Sequence, residues 1–397
     1  MTPFLKVTVV PASVTFLSTN SPGGSEVLWT ACAFSLCQRG HRVSVGTLAH
    51  LLDAPHIRAL AEQGVNTYAI DRFPGGRPLH RGIYVAKKLR GANRQIMARM
   101  AINELRQLEQ PDLFVVSKGY FPQSLEFLEA LASEEIPYLI IDHLVSELQW
   151  LPSELLATAR SSYGRALRTC FVSEANRVLA ERQLGMDLPS ATLVRNPVNL
   201  AELPDAPLPL PQGDPIRLAC VGNLCLFHKG QDLLLSVLAQ PHWRQRPIEL
   251  SFAGLGADEA GLRATVAYMG LDNVHFLGHV NDMRALWEQH HALLMASRME
   301  AGPMVVVEAN LCGRLAIGPN LGAFPELIED GVTGFLAESA SQPALERAME
   351  TFLSMRPDWP EISARAFIRG KEYLRGKEYQ DQSPSEAFAE LILACLG

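Results

Sequence analysis

The sequence has 397 residues, of which 48% are hydrophobic and 19% are charged, and its formal net charge is −7. This length exceeds what one ordinary hydrophobic core holds, so we expect two domains, and the composition excludes a disordered chain. The acidic net charge gives no reason to expect a nucleic acid as partner. The seven cysteines include no CxxC pair, which is typical of a protein from a reducing compartment.

The amino terminus, MTPFLKVTVV, predicts a strand rather than a signal peptide. No apolar run reaches the roughly 20 residues that a membrane-spanning helix needs, so we predict a cytoplasmic protein. Between Arg72 and Arg106 a basic segment is opposed only by Glu104 and contains Arg77, Arg81, Lys87, Lys88, Arg90, Arg94 and Arg99. It predicts peripheral contact with an anionic membrane surface at the inner face, or an acidic acceptor, although a solvated basic helix face has the same pattern.

Short apolar runs alternate with longer amphipathic stretches along the first 200 residues. The runs predict buried strands at 5–10, 42–48, 66–70, 113–117, 138–141, 169–172 and 191–194. The stretches between them predict helices at 24–39, 82–108, 122–132 and 174–183. Repeated strand–helix–strand order predicts a doubly wound parallel sheet with helices on both faces.

A proline-rich segment, 197–215, interrupts this alternation and predicts an interdomain linker. After it the alternation restarts, with strands predicted at 216–221, 248–253, 274–277, 292–295 and 315–317, and helices at 230–238 and 256–268. We predict a Rossmann-like domain over 1–200, a second Rossmann-like domain over 201–355, and a helical tail over 356–397. Ligands of such sheets bind beyond the carboxyl ends of the strands.

The segment EAGPMVVVEA carries two carboxylates, Glu300 and Glu308. Pro303 suits the first turn of a helix, so Glu300 precedes that helix and Glu308 lies inside it. Backbone N–H groups near Gly302 and Met304 then stand at the positive end of the helix dipole, which suits a phosphate. This pattern predicts a site for a sugar hydroxyl, a diphosphate and a ribose, although a capped helix with an acidic first turn has the same pattern.

Two further segments point to anionic ligands. Asn223 follows the first predicted strand of the second domain, and Lys229 comes at a predicted helix start. At that position Lys229 either neutralises a diphosphate or is a surface charge. Gly23 and Gly24 follow the first predicted strand of the chain and open a helix, so the backbone can approach a ligand closely. No GxGxxG fingerprint is present, which disfavours a nicotinamide dehydrogenase.

Together these segments resemble the retaining glycosyltransferases of family 4. The resemblance runs through PGGSE and QRGHRV in the first domain and through VGNLCLFHKGQDLLL, FAGLGADEAGL, NVHFLGHV and SRMEAGPMVVVEANLCGRLAIGPNLGAFPELIEDGVTGFL in the second. It implies the GT-B fold, an α/β architecture in which two Rossmann-like doubly wound parallel-sheet domains face a central cleft. In that fold 1–200 would be the acceptor-side domain, 201–355 the donor-binding domain, and the tail 356–397 would pack back on the first domain.

The resemblance also implies roles for the matching residues. Glu308 would bind the ribose hydroxyls, Glu300 the donor sugar and Lys229 the diphosphate. His143, after the predicted strand 138–141, looks like the family's active-site histidine, so His143, Lys229 and Glu300 are the candidate catalytic residues. The rest of the donor site would comprise Gly23, Gly24, Asn223, Gly278, Gly302, Pro303, Met304, Asn320, Leu321 and Gly322.

Three positions depart from the family pattern. Asp142 precedes His143, whereas the family commonly has Asp after the histidine, and Ala301 replaces a common glycine. Asn223 stands where the family usually has Arg, and asparagine lacks the charge and the bidentate fork of arginine. A charge-assisted contact contributes about 1.5–3 kcal/mol, so diphosphate binding is weakened unless His228 or Arg298 compensates.

The reaction that the resemblance implies is sugar transfer from a nucleoside-diphosphate sugar to an acceptor hydroxyl, with retention and without a metal ion or cofactor. A UDP-linked hexose is the favoured donor, with GDP-mannose behind it. The basic segment favours a lipid-linked or anionic glycan acceptor of cell-surface polysaccharide or glycolipid synthesis, and a small-molecule acceptor stays open. The alternatives are a nucleotide-sugar epimerase on the same fold and a catalytically weakened sugar-nucleotide binding protein, which Asn223 favours.

Overall fold

The computed structural model describes residues 10–20, 23–72, 92–375 and 382–397. The described parts divide into two compact units. The first lies within Met1–Val145, Gln149–Pro197 and Gln382–Gly397, and the second within Ser146–Leu148 and Val198–Asp381. Among the helices of these described residues, none is both long and apolar enough to cross a membrane.

A parallel sheet of seven strands forms the centre of the first unit, in the order β3-β2-β1-β4-β5-β6-β7. Every residue of β1, β4 and β5 is buried, as in parallel sheets that helices cover on both faces. The strands are β1 (Ser13–Ser18), β2 (Arg42–Thr47), β3 (Asn66–Ala69), β4 (Leu113–Lys118), β5 (Tyr138–Asp142), β6 (Arg168–Phe171) and β7 (Ala191–Leu193). The helices are α1 (Gly24–Gln38), α2 (Pro55–Glu62), α3 (Ala92–Glu109), α4 (Leu125–Ser133), α5 (Leu156–Arg165) and α6 (Glu174–Leu184).

A parallel sheet of six strands forms the centre of the second unit, in the order β10-β9-β8-β11-β12-β13. Its strands are β8 (Ile216–Val221), β9 (Ile248–Ala253), β10 (Val274–Gly278), β11 (Ala292–Leu294), β12 (Leu315–Pro319) and β13 (Gly334–Ala337). In both sheets the first strand of the unit lies beside the fourth, so the order reverses between β1 and β4 and between β8 and β11. These reversals are where doubly wound sheets bind ligands, beyond the carboxyl ends of the strands.

The remaining helices follow β7 in the chain. They are α7 (Leu226–Lys229), α8 (Gln231–Leu238), α9 (Pro241–Arg244), α10 (Glu259–Met269), α11 (Met283–Gln289), α12 (Met304–Leu311), α13 (Phe324–Leu327), α14 (Gln342–Ser354), α15 (Trp359–Leu374) and α16 (Pro384–Ala394). Short 3₁₀ helices span Ala49–Leu51, Ser153–Leu155 and Arg356–Asp358.

The predicted α/β class with two doubly wound parallel sheets is confirmed. The first strand differs from the prediction: residues 5–9 lie outside the described residues, Val10 is in no strand, and β1 begins at Ser13. The polar residues of SVTFLS obscured this strand, because polar side chains inside a sheet need partners. Here Thr15 Oγ1 lies 2.7 Å from Ser44 Oγ on β2, which satisfies both hydroxyls. Residues 82–91 of one predicted helix also lie outside the described residues.

The predicted tail, 356–397, divides between the two units. Helix α15 packs on α12 in the second unit, where a Cβ on Gly370 would lie 2.9 Å from the backbone nitrogen of Leu311. Helix α16 packs on α1 in the first unit, and Arg39 forms an ion pair with Glu390 between them. The second unit therefore continues beyond residue 355, because the close approach at Gly370 makes α15 part of its packing.

Candidate active site

Lys229 and Glu300 form an ion pair in the second unit, with Lys229 Nζ 2.7 Å from Glu300 Oε2. Lys229 follows β8 and Glu300 follows β11, so the pair lies where the strand order reverses. Their side chains are 16% and 9% exposed, so the pair is largely shielded from water and its electrostatic attraction exceeds that of a surface pair. Lys229 ends the short helix α7 and directly precedes Gly230, the N-cap of α8, so it lies at the start of the helix predicted at 230–238.

Two glycines hold the backbone on either side of this ion pair. Gly230 has a φ of +63°, and a Cβ there would collide with the backbone oxygen of Ala296. Gly322 has a φ of +51°, and a Cβ there would collide with the backbone oxygen of Glu300. Both residues need a left-handed conformation and a close backbone contact that only glycine permits. The turn after Lys229 and the segment 320–322 are thereby fixed against the loop that carries Glu300.

Helix α12 begins just after Glu300. Pro303 is its N-cap, so the first N–H groups of the helix, from Met304 onward, have no partner within the helix and carry the positive end of its dipole. Glu308 lies inside α12, is 6% exposed, and accepts a hydrogen bond from the backbone N–H of Asn199 at 2.9 Å. Burial raises the pKa of Glu308, and the hydrogen bond from Asn199 opposes that rise.

The other predicted donor-site residues of this unit lie at the carboxyl ends of neighbouring strands. Asn223 follows β8 and is exposed, and its side-chain oxygen lies close against Gly256. Gly278 ends β10 with a φ of +68°, and its carbonyl accepts a hydrogen bond from Gly254 at 2.7 Å. Asn320, exposed, and Leu321, half-buried, follow β12. All of them therefore share the sheet edge that carries Lys229 and Glu300.

The two residues that the sequence offered to compensate for Asn223 do not supply a free positive charge. Arg298 is held by Asp232, with Nη1 2.8 Å from Oδ1 and Nη2 2.7 Å from Oδ2. His228 is half-buried, and burial together with the nearby charge of Lys229 lowers its pKa, so its imidazole is neutral. Neither residue is therefore a free cation that compensates for Asn223.

His143 lies in the first unit, directly after β5. Its Nε2 is 3.2 Å from the hydroxyl of Ser117 at the end of β4, and its backbone N–H donates to the carbonyl of Lys118 at 3.1 Å. The residue is 8% exposed, and burial lowers its pKa to about 4 against the opposing charge of Glu26. The imidazole is therefore neutral at physiological pH, and its Nδ1 has no hydrogen-bond partner within the described part of the chain.

The glycine loop of the first unit leads into a polar cluster. Gly23 is the N-cap of α1, while Ser21 and Pro22 lie outside the described residues. Glu26, only 3% exposed, accepts hydrogen bonds from Asn20 Nδ2 at 2.9 Å and from the Ser18 hydroxyl at 3.0 Å. A cavity of about 300 Å³ beside it is lined by Gly23, Glu26, Val27, Thr30, Ala31, Phe34 and His56. Gly24, the first residue of α1, has open space around it.

Sequence reasoning missed a buried charged cluster beside His143. Lys118 and Asp142 are fully buried, with Nζ 3.1 Å from Oδ1, and the Tyr163 hydroxyl hydrogen-bonds to both. Burial lowers the pKa of Lys118 and raises that of Asp142, and their attraction opposes both shifts. Side chains alternate along a strand, so this cluster lies on one face and the contact between Ser117 and His143 on the other. The strands predicted at 113–117 and 138–141 each stopped one residue before this pair. The register of β4 and β5 places Lys118 opposite Asp142.

Metal-ligand geometry gives no candidate: within the described ranges, no three or more His, Cys, Asp or Glu side chains are grouped so that they would hold a metal ion. The prediction of a metal-independent reaction stays a prediction.

The chain is similar in sequence to known glycosyltransferases. Residues 215–355 match the family model described as glycosyl transferases group 1. An uncharacterized glycosyltransferase of Haemophilus influenzae is 23% identical over 375 residues, which cover 90% of this chain and 94% of that protein.

Two solved structures are similar along nearly the whole chain. The Anabaena protein HepE in complex with UDP-glucose has a TM-score of 0.68 at 18% identity, covering 96% of this chain and 99% of that one. The lipopolysaccharide outer core galactosyltransferase WaaB, in its apo form, has a TM-score of 0.69 at 16% identity, with coverage of 96% and 99%. The chain therefore has the two-domain fold of the GT-B glycosyltransferases, and the comparisons support glycosyltransferase activity.

Proposed function

We propose that the protein is a retaining glycosyltransferase that transfers a sugar from a UDP-sugar to an acceptor hydroxyl, in the synthesis of a cell-surface polysaccharide or glycolipid. The observation that carries the proposal is the ion pair of Lys229 and Glu300 beside the start of α12. A cation and free helix N–H groups suit a diphosphate, and a carboxylate suits a sugar hydroxyl. The match to the group 1 family model spans all of these residues.

In this proposal the bond between the anomeric carbon and the phosphate oxygen breaks, and a bond to the acceptor oxygen forms on the same face. Lys229 and the N-terminus of α12 stabilise the charge that develops on the leaving diphosphate, as preorganised groups do in other enzymes. The acceptor proton passes to that diphosphate, without a metal ion. Glu300 orients the donor sugar, Glu308 binds the ribose, and the neutral imidazole of His143 hydrogen-bonds to a hydroxyl of donor or acceptor.

Two relatives support the choice of substrates. HepE was crystallised with UDP-glucose, which favours UDP as the nucleotide. WaaB is a lipopolysaccharide outer core galactosyltransferase, which favours a glycolipid or polysaccharide acceptor. In this proposal the remaining donor contacts come from the Gly23–Gly24 loop, Asn223, the segment 302–304, and the segments at Gly278 and 320–321.

Calorimetric titration with UDP, GDP, ADP and their sugar conjugates tests the donor site. We expect UDP and a UDP-sugar to bind wild type and to bind Glu308→Ala at least tenfold more weakly, because the ribose hydroxyls lose the carboxylate that accepts their hydrogen bonds. Glu288→Ala, which removes an exposed carboxylate on α11, is the matched control. Failure of every nucleotide to bind wild type would contradict the proposal.

Transfer itself is tested with the sugar donor that binds. Lys229→Ala is expected to abolish most transfer while leaving the fold intact, since the leaving diphosphate loses its cation. Proton NMR of the product is expected to show the anomeric configuration of the donor, and EDTA is expected to leave the rate unchanged. An inverted product or loss of activity in EDTA would refute the retaining or the metal-independent part of the proposal.

The second candidate is a sugar-nucleotide binding protein with weakened catalysis. It is favoured by the exposed Asn223 and by the neutralisation of Arg298 by Asp232. If it is correct, wild type binds a nucleotide sugar but transfers it barely, and Asn223→Arg raises turnover. High turnover of the wild type would eliminate this candidate.

A further inference from the structure

We propose that Glu300 competes with the phosphates of the donor for Lys229, so that the site binds the intact nucleotide sugar in preference to the nucleotide left after transfer. This inference rests on the proposed function and adds a role in discrimination and product release to the same site.

The first observation is the strength of the existing partnership. Lys229 Nζ lies 2.7 Å from Glu300 Oε2, and the two side chains are 16% and 9% exposed. Each charge has therefore lost much of its water, and removing its partner leaves it poorly solvated. A diphosphate that takes Lys229 must break this pair and leave the carboxylate of Glu300 without its cation.

The second observation is that neighbouring basic side chains do not substitute for Lys229. Arg298 forms a two-point ion pair with Asp232 and also donates to the carbonyl of Leu226 at 2.6 Å. His228 is neutral because burial and the adjacent charge of Lys229 lower its pKa. Diphosphate and Glu300 thus draw on the same lysine.

An intact nucleotide sugar resolves this competition. Its diphosphate takes Lys229 while the sugar hydroxyls donate hydrogen bonds to Glu300, so both charged groups regain partners. Free UDP takes Lys229 and offers Glu300 nothing, and the unpaired carboxylate then weakens binding. Gly230 and Gly322 fix the backbone near both residues, so the exchange of partners needs only rotation of two flexible side chains.

Titration with UDP on wild type and Glu300→Gln tests this inference. We expect Glu300→Gln to bind UDP roughly tenfold more tightly than wild type, because Lys229 is then free. The preference of wild type for UDP-glucose over UDP is expected to shrink in the variant, because glutamine accepts hydrogen bonds less strongly than a carboxylate. Glu300→Ala is a second variant with the same expectation for UDP.

Glu288→Gln is the matched control, because it removes the same charge from an exposed ion pair with Arg284 on α11 and leaves the pair of Arg298 and Asp232 intact. We expect it to change UDP affinity less than about threefold, as exposed pairs contribute little. An equal gain in Glu288→Gln would mean that any lost negative charge strengthens UDP binding, and would overturn the inference.

A double-mutant cycle completes the test. In a Lys229→Met background, Glu300→Gln is expected to give no gain in UDP affinity, because no lysine is released. Unchanged or weaker UDP binding by Glu300→Gln and Glu300→Ala would overturn this inference and leave the proposed function standing. A wild type that binds neither UDP nor UDP-glucose would remove the proposed function and this inference together.

Discussion

At the scale of single residues, the burial of His143 makes the free energy of unfolding depend on pH. Burial lowers its pKa from an ordinary 6.5 to about 4, so between these values the unfolded chain binds a proton that the folded protein does not. Stability contributed by the neutral histidine is therefore present above about pH 6.5 and is lost as the pH falls towards 4. We expect the free energy of unfolding to drop between these pH values by on the order of 3 kcal/mol more in wild type than in His143→Asn.

Urea unfolding at a series of pH values measures this difference. His275→Asn, which changes an exposed histidine on β10, is the control and should follow the wild-type profile. Parallel profiles for wild type and His143→Asn would show that the imidazole titrates normally in the folded protein.

The sequence predicted part of this residue-scale picture. Glu300 and Lys229 were identified because each lies within a motif of contiguous residues. The two-point contact of Arg298 with Asp232 was not predicted, because the residues lie 66 positions apart and only packing brings them together. Burial of His143, which decides its protonation, is likewise a property of tertiary structure.

At the scale of elements, the buried ion pair of Lys118 and Asp142 joins β4 to β5 and, through Tyr163, to α5. Removing one partner leaves an uncompensated buried charge, whereas removing both leaves only the uncharged Tyr163 hydroxyl without its partners. We expect Lys118→Met to lower the free energy of unfolding by on the order of 3–5 kcal/mol. The double variant Lys118→Met with Asp142→Leu is expected to be more stable than Lys118→Met alone.

Chemical denaturation of the four proteins of this cycle provides the measurement. If the double variant is as unstable as the sum of its two single variants, the two side chains are not energetically coupled, and the assignment of an ion pair is wrong.

The turn at Gly322 tests how the loop of Glu300 is held. A Cβ at this position would meet the backbone oxygen of Glu300, and the φ of +51° is unfavourable for other residues. We expect Gly322→Ala to lower the melting temperature and to weaken UDP-glucose binding at least tenfold, because the loop must move. Gly261→Ala, in open space within α10, is the control and should raise stability by about 0.5–1 kcal/mol.

Strands with uninterrupted apolar runs were predicted well, and elements with polar side chains were not. The segment of β4 is apolar through Val116, and its prediction at 113–117 differs from the structure by one residue. Strand β1 was not predicted, because its serines and threonine resemble a loop until their partners are known. These partners are the carbonyl of Glu109 for Ser13, Ser44 for Thr15 and Glu26 for Ser18. The strand β13 and the helices α2, α5 and α14 were not predicted.

At the scale of the whole molecule, alternation of strands and helices sufficed to predict two doubly wound sheets. It did not predict where the second unit ends, because α15 and α16 follow one another in the chain and belong to different units. Which unit a helix joins depends on contacts such as that of Gly370 with Leu311, and periodicity carries no information about them.

The basic segment between Arg72 and Arg106 bears on how the whole protein meets its acceptor. Residues 73–91 lie outside the described residues, so its role is argued from sequence and charge. Each basic residue near an anionic surface contributes about 1 kcal/mol, so replacing Lys87, Lys88 and Arg90 by Gln is expected to weaken binding to phosphatidylserine vesicles on the order of a hundredfold at low salt. Vesicle sedimentation measures this change.

The control for this experiment removes the same charge elsewhere. Arg347, Arg356 and Arg365 are exposed in the second unit and each pairs with a carboxylate, so their replacement by Gln should leave vesicle binding nearly unchanged. If both triple variants bind like wild type, the basic segment is a solvated surface, and the acceptor reaches the protein without anionic lipid. If both triple variants lose affinity equally, net charge alone governs the contact. A membrane site within the basic segment requires that the variant of Lys87, Lys88 and Arg90 loses affinity and the control does not.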